Sequence, residues 1–299
     1  MSKQDVIIGN CLDILKGMQS ESIDCVVTSP PYWNLRDYKS EPARYGVWEG
    51  QLGLEDTPDL YISHLLMIFD EIKRVLKPTG ACWVNIGDTY MSKDICGIRQ
   101  KSLCLIPSRF AIAMTDRGWI LRNENNWYKS NVMPSPIKDR FTVDFEKFFF
   151  FTKSPKYYFK QQFEPLKEES IARAKRAKNN TLEFHDRIVG TNSVHMKHND
   201  PNWKRFAPDN GRNCRTTWEI PLKGEHYNHI AMFPKALIER PIDACCPPGG
   251  VVLDPFCGSG TVLEYCFEHD IEAIGIEINP IYEPIIKKRA NYGQKKLLL

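Results

Sequence analysis

Residues 251–261 read Val-Val-Leu-Asp-Pro-Phe-Cys-Gly-Ser-Gly-Thr, an apolar run that passes into a glycine-rich turn and then a helical pattern. This order constrains the fold more than any other feature of the chain. In open α/β sheets, ligands bind beyond the carboxyl ends of parallel strands, where such a turn sits. Upstream, Val-Ile-Ile at 6–8, Asp-Cys-Val-Val-Thr-Ser-Pro at 24–30 and Ala-Cys-Trp-Val-Asn-Ile-Gly at 81–87 read as buried strands. Tyr61, Leu65, Phe69, Ile72 and Leu76 recur at spacings of three and four, which predicts a helix stopped by Lys77-Pro78-Thr79-Gly80. Pro107 opens another helix that closes near Gly118. A helix over 236–244, the strand at 251–256, a helix after the turn, a strand at 272–278 and a last helix complete the rhythm. Alternation of this kind predicts an α/β fold, a parallel sheet with helices on both faces.

The rhythm lapses between about Ser154 and Tyr227, where the chain is rich in Asn, His, Pro and Gly and carries Phe184, Trp203, Phe206 and Trp218. The net charge of +3 argues for no partner, but Lys153–Arg215 holds 14 Lys or Arg against 7 Asp or Glu. An inserted basic region is expected there, with a short helix over 167–178. The expected divisions are therefore 1–153, an insertion at 154–227, and 228–299, the outer two forming one sheet. With 42% hydrophobic and 26% charged residues, disordered, collagenous and coiled-coil chains are excluded. The opening residues lack the pattern of a secretory leader, and no apolar run approaches eighteen residues, so a cytoplasmic protein without a membrane contact is expected. Ten scattered cysteines read as reduced core residues. His185, His195 and His198 lack metal-ligand spacing, so no metal is expected.

Glu277 follows Gly258 by 19 positions and closes the next strand, where an acidic residue accepts hydrogen bonds from ribose hydroxyls. The turn has neither the full G-x-G-x-x-G spacing of a pyrophosphate site nor the lysine of a triphosphate loop. Asp254 instead puts a carboxylate at the strand end, which suits a cationic ligand. S-adenosylmethionine has an ammonium, a ribose and a sulfonium, and no phosphate. The competing reading is a plain tight turn at Gly258 and Gly260, with Glu277 at a solvated strand end.

The second motif is Thr28-Ser29-Pro30-Pro31-Tyr32-Trp33, at the end of an apolar strand. Consecutive prolines stiffen the turn and present carbonyl oxygens as acceptors. An exocyclic amino group on a nucleobase is a poor nucleophile because its lone pair is delocalised into the ring. If the Ser29 hydroxyl and the Pro30 carbonyl accept its protons, the nitrogen moves toward tetrahedral geometry and its lone pair is released. Tyr32 would stack on the base, which must first leave its duplex. The competing reading is a strand followed by a Pro-Pro turn and a core tyrosine.

In this order the two motifs resemble the class-β DNA amino-methyltransferases, with S/D-P-P-Y before F-x-G-x-G and a target recognition region between. The resemblance spans nearly the whole chain, including His229-Ile230-Ala231-Met232-Phe233-Pro234 and Arg74–Gly80 followed by the strand to Asp88. It implies a Rossmann-like S-adenosylmethionine-dependent methyltransferase sheet with circularly permuted motifs. It also implies cofactor contacts from Phe233, Asp254, Phe256, Gly258, Gly260, Thr261 and Glu277, and catalytic roles for Ser29, Pro30, Pro31 and Tyr32. One departure is visible: the family has Gly-Asp after its first strand and this chain has Gly9-Asn10, leaving the Asn10 carbonyl, or Asp13, to meet the cofactor adenine.

Serine at the first motif position is typical of the family's cytosine-N4 enzymes and Asp or Asn of its adenine-N6 enzymes, so cytosine N4 in duplex DNA is expected. The chain has no Pro-Cys dipeptide, which disfavours carbon-5 methylation. Lys175, Arg176, Lys178, Lys204, Arg205, Arg212 and Arg215 are the expected DNA contacts, against the alternative of a solvated helix face for 167–178. A restriction endonuclease is an expected partner. Alternatives are an adenine-N6 enzyme, methylation of RNA or a protein glutamine, and a binding-only protein; the last is disfavoured by two intact motifs.

Overall fold

The computed structural model describes residues 3–166, 168–169, 211–222 and 233–290. It divides into two compact units, Gln161–Arg215 and the remainder. In the larger unit, β1 (Gln4–Ile8), α1 (Cys11–Gly17) and β2 (Ile23–Thr28) lead to a hairpin of β3 (Ala43–Tyr45) and β4 (Trp48–Gly50). Then follow α2 (Pro58–Val75), β5 (Leu76–Ile86), α3 (Ile106–Asp116), β6 (Ile120–Tyr128) and β7 (Phe145–Thr152). In the smaller unit β8 (Phe163–Glu164) pairs with β9 (Arg212–Asn213). Returning to the larger unit come β10 (Thr217–Glu219), α4 (Lys235–Cys245), β11 (Val251–Asp254), α5 (Thr261–Glu268), β12 (Glu272–Glu277) and α6 (Glu283–Arg289).

The eight-stranded sheet has the order β1-β12-β11-β2-β5-β7-β6-β10. Five neighbouring pairs are parallel, as expected of a parallel sheet, and β7 alone runs antiparallel to both its neighbours. β2 and β11, more than 200 residues apart in sequence, are neighbours, with Cys25 opposite Val252 and Val26 opposite Leu253.

The sheet is covered on both faces, as strand periodicity requires. The run Phe148–Phe151 shows the division: Phe149 and Phe151 enter the core under α1, α2 and α3, while Phe148 and Phe150 enter the core under α4, α5 and α6. Phe150 stacks on Trp83 with ring centroids 4.4 Å apart and planes 2° from parallel. Seven of the ten cysteines are buried, and all ten are free thiols.

Two local expectations shift. The helix α2, capped by the Thr57 hydroxyl accepting from the Leu60 amide at 3.1 Å, ends at Val75, and Lys77–Gly80 belong to β5. Ile23 faces Leu76 but Cys25 already faces Ala81, so these residues bulge out of register. Trp218, assigned from sequence to the insertion, is buried in β10 of the main sheet, and the smaller unit lies within the 154–227 span. Among the described residues no helix is long and apolar enough to cross a membrane.

Candidate active site

Each of the two motifs begins where a parallel strand ends, and the sheet order puts those ends side by side. Thr28, the last residue of β2, donates from its hydroxyl to Asp254 Oδ1 at 2.6 Å at the end of β11. Beyond this edge lies a cavity of about 400 Å³ lined by Ser29, Pro30, Pro31 and Tyr32 from the first turn and by Phe256, Gly258, Thr261 and Glu277 from the second. Asn10 and Phe233 also line it. The expectation that two distant segments meet at one sheet edge is met.

The second turn is tied down by its own amides. Phe256 N–H donates to Asp254 Oδ1 (3.1 Å), Cys257 N–H to the Ile276 carbonyl (2.8 Å), Gly258 N–H to Glu277 Oε2 (2.8 Å) and Gly260 N–H to the Cys257 carbonyl (2.9 Å). A phosphate-binding turn needs such amides pointing at the ligand. Here four are committed to protein acceptors, so the turn suits a ligand without phosphate. Gly258 and Gly260 both take positive φ, and a Cβ on Gly260 would meet Ile286 at 3.0 Å.

Glu277 is nearly buried, with Oε1 accepting from Asn279 N–H at 2.9 Å. Burial pushes its pKa up, opposed by the amides of Asn279 and Gly258. Each oxygen keeps a lone pair for a further donor. Arg36, which sequence reasoning passed over, lines the same cavity and has a buried Nη1 without a hydrogen-bond partner among the described residues.

Two residues expected to touch the ligand sit elsewhere. Asp254 and Gly260 do not line the cavity. Asp254 is buried beneath the turn, holding Thr28 and the Phe256 amide with one oxygen, while Oδ2 has no partner among the described residues. Burial raises its pKa from 3.8 to about 7. The folded chain therefore holds a proton that the unfolded chain releases between about pH 4 and 7, and stability falls across that window as pH rises. In Asp254→Asn this contribution is absent, so the melting-temperature gap between variant and wild type is expected to change steadily from pH 4 to 7. A gap independent of pH would refute the assignment. The Asn10 side-chain carbonyl accepts from the Leu12 amide at 3.1 Å, capping α1, so its free lone pair alone is available for the adenine contact.

The Ser29–Tyr32 turn is held from below. Tyr61 donates to the Pro31 carbonyl at 2.7 Å and the Trp33 indole to the Glu55 carbonyl at 2.9 Å, whereas the Pro30 carbonyl receives no donor among the described residues. Ser29 donates to the Tyr32 hydroxyl at 3.3 Å; that hydroxyl is 2.7 Å from Glu146 Oε2 and 2.9 Å from Asn85 Oδ1. Lys129 pairs with the other Glu146 oxygen and lies over the Trp127 ring at 4.4 Å. Burial and the nearby Glu146 carboxylate push the Tyr32 phenol well above its usual range. Asn85, Trp127, Lys129 and Glu146 all line the cavity and none was singled out from sequence.

Gly87 makes room for the Tyr32 ring: a Cβ there would stand 2.5 Å from Cε2 and 2.8 Å from Cδ2. Gly87→Ala is expected to displace Tyr32 and lower methyl transfer at least about tenfold, the scale of a misplaced reactive group. Cofactor affinity, measured by calorimetry, should stay within about threefold. Unchanged turnover would show that the ring position is not critical.

A sequence family described as DNA methylase matches residues 23–288 of this chain. The chain belongs to the DNA methylase family. Among similar proteins, the type II methyltransferase M.SmaI of Serratia marcescens is 34% identical over 95% of this methylase and 89% of its own length. M.Cfr9I of Citrobacter freundii is 36% identical over 94% and 85%. In fold, the methylase resembles the PvuII DNA methyltransferase (cytosine-N4-specific), with a TM-score of 0.66, 20% identity and coverage of 100% and 89%. It also resembles a putative DNA modification methylase of Thermus thermophilus solved with S-adenosyl-L-methionine, with a TM-score of 0.58, 21% identity and coverage of 96% and 95%.

Of the expected DNA contacts, Lys175, Arg176, Lys178, Lys204 and Arg205 lie outside the described residues of the methylase, as do His229–Met232 and most of the helix expected over 167–178. Arg212 and Arg215 lie in the smaller unit, their Nε atoms 3.1 Å and 2.8 Å from the same Glu164 carboxylate oxygen.

Proposed function

We propose that this DNA methylase transfers a methyl group from S-adenosyl-L-methionine to the exocyclic N4 amino group of cytosine in duplex DNA, as the modifying half of a type II restriction-modification pair. The observation that carries this is the single cavity shared by the Ser29–Tyr32 turn and the Gly258–Glu277 pair.

The cavity's chemistry fits the cofactor. Glu277 accepts from the ribose hydroxyls, Phe256 and Phe233 supply apolar walls, and Asn10 meets the adenine edge. Arg36, a cation with a buried nitrogen unpartnered among the described residues, suits the amino-acid carboxylate. Bound there, S-adenosylmethionine supplies an electrophilic methyl group on a sulfonium. The chain's own part is to shape the nucleophile: Ser29 Oγ and the Pro30 carbonyl accept the two amino protons, and the pinned Tyr32 ring offers a face for the extruded base. Serine in place of a carboxylate at position 29 supports cytosine, and so does the cytosine-N4 specificity of the PvuII enzyme. The basic segment Lys153–Arg215 suits the DNA backbone, Arg212 and Arg215 included. The names of the type II relatives support a partner endonuclease.

Base-resolution sequencing of DNA from cells expressing the chain tests this reading. N4-methylcytosine at one short recurring sequence is expected. N6-methyladenine in its place would overturn the choice of base, and unmodified DNA would overturn the reading as a whole.

A further inference from the structure

The methyl-transfer step leaves a proton to be disposed of. When the methyl carbon's bond to sulfur breaks and its bond to the amino nitrogen forms, the nitrogen becomes a cation bearing two protons, and one must leave. A serine hydroxyl accepts a hydrogen bond but is too weak a base to keep the proton. A carboxylate able to keep it is two hydrogen bonds away. Ser29 Oγ donates to Tyr32 Oη at 3.3 Å, and Tyr32 Oη lies 2.7 Å from Glu146 Oε2. Asn85 Oδ1, the other neighbour of the tyrosine hydroxyl, is an amide oxygen and does not serve as a base.

Resting on the methyl-transfer reading above, we infer that Glu146 is the terminal proton acceptor of the reaction, reached through Tyr32 and Ser29. The amino proton passes to Ser29 Oγ as the serine proton passes to Tyr32 Oη and the tyrosine proton to Glu146 Oε2. Serine and tyrosine end unchanged, the product amine and the sulfide are neutral, and Glu146 is a carboxylic acid. The direction of donation already runs this way, which leaves the Ser29 lone pairs facing the base.

Three features fit a relay better than a structural tie. The relay lies against the cavity: Glu146 is the second residue of β7, which runs antiparallel to its neighbours in the main sheet, so its carboxylate arrives at the same edge as the ends of β2 and β5. Lys129 holds the second carboxylate oxygen, which fixes the first toward Tyr32. A high phenol pKa keeps Tyr32 neutral and able to pass a proton on. The exocyclic ammonium is strongly acidic and gives up its proton readily to an oxygen acceptor. Glu146 acts through Tyr32 and is thus a positioning residue for the proton, not one that touches the base.

Single-turnover methyl transfer on the duplex identified by sequencing tests the relay. Glu146→Gln keeps the side-chain shape and is expected to slow transfer about 100-fold, the lower end of general-base effects. Dissociation constants for S-adenosylmethionine and duplex should stay within about threefold. Tyr32→Phe keeps the ring, breaks the chain at its middle and is expected to lose a similar factor. The double variant should be no slower than the worse single one, and Glu146→Asp should recover part of the rate. Wild-type speed in Glu146→Gln, or multiplicative losses in the double variant, would overturn the relay while leaving the methyltransferase reading intact. If Glu146→Gln does not fold, Tyr32→Phe at wild-type speed overturns it by itself. No methylation by the wild-type chain overturns the underlying reading, and the relay with it.

Discussion

Ser29→Ala is expected to leave S-adenosylmethionine binding within about twofold of wild type while cutting methyl transfer to DNA by roughly 10²- to 10³-fold, the range for loss of one preorganised hydrogen-bonding group at a reacting centre. The split follows from where the residue sits. Ser29 continues β2 past Thr28, and its hydroxyl donates to Tyr32 rather than to any group of the glycine-rich turn. Removing the oxygen deletes one acceptor for the amino protons and, with it, the first link toward Glu146. The backbone stays in place because Tyr61 and Glu55 hold the following residues. Cofactor titration and single-turnover transfer measured side by side decide the matter. A parallel loss of both would mean that Ser29 supports the cavity as a whole, and retention of both would remove it from the chemistry.

What the sequence disclosed and what it hid divide along physical lines. Ser29–Tyr32 and Asp254–Thr261 are local signals, each a strand end and turn written in consecutive residues, and both were legible. Their meeting required only that two strands lie side by side, which β2 and β11 do. The fate of individual side chains was less accessible. Asp254 promised a ligand contact because a carboxylate at a strand end usually faces one, but here the Thr28 hydroxyl and the Phe256 amide claim it beneath the turn. The other wall of the cavity was missed because it depends on β7 reversing direction, a long-range pairing that periodicity does not encode. A trace was present. Glu146 is a charge at the head of the run Phe148–Phe151, with Trp127 and Lys129 19 and 17 positions upstream, and a carboxylate entering so apolar a strand needs a partner. Trp218, read from sequence as part of the insertion, lies in β10 of the main sheet, because an aromatic beside basic residues looks the same in an insertion as in an edge strand.

Glu277→Ala is expected to weaken S-adenosylmethionine binding at least about 100-fold, and it should do so through two separable losses. One is the acceptor for the ribose hydroxyls, a charge-assisted pair of the kind that costs roughly 1.5–3 kcal/mol when removed. The other is the turn itself: the carboxylate holds the amides of Gly258 and Asn279 at 2.8 and 2.9 Å, and alanine leaves both donors without an acceptor. An unsatisfied buried amide costs about 1–3 kcal/mol, so the melting temperature should fall as well. Glu277→Gln separates the two. It restores the side chain's bulk and one acceptor oxygen but turns an NH₂ group toward one of the amides, so it should recover some stability and little affinity. Glu146, the anchor of the Tyr32 hydroxyl, lies at the start of β7 next to Phe145, four strands from β12 and so about 19 Å away at roughly 4.8 Å per strand; binding of a flipped base should be nearly independent of the change. Calorimetric titration of cofactor against wild type and both variants is the measurement. Affinity within threefold in Glu277→Ala would take the carboxylate out of the ligand's reach and leave it as a brace for the turn alone.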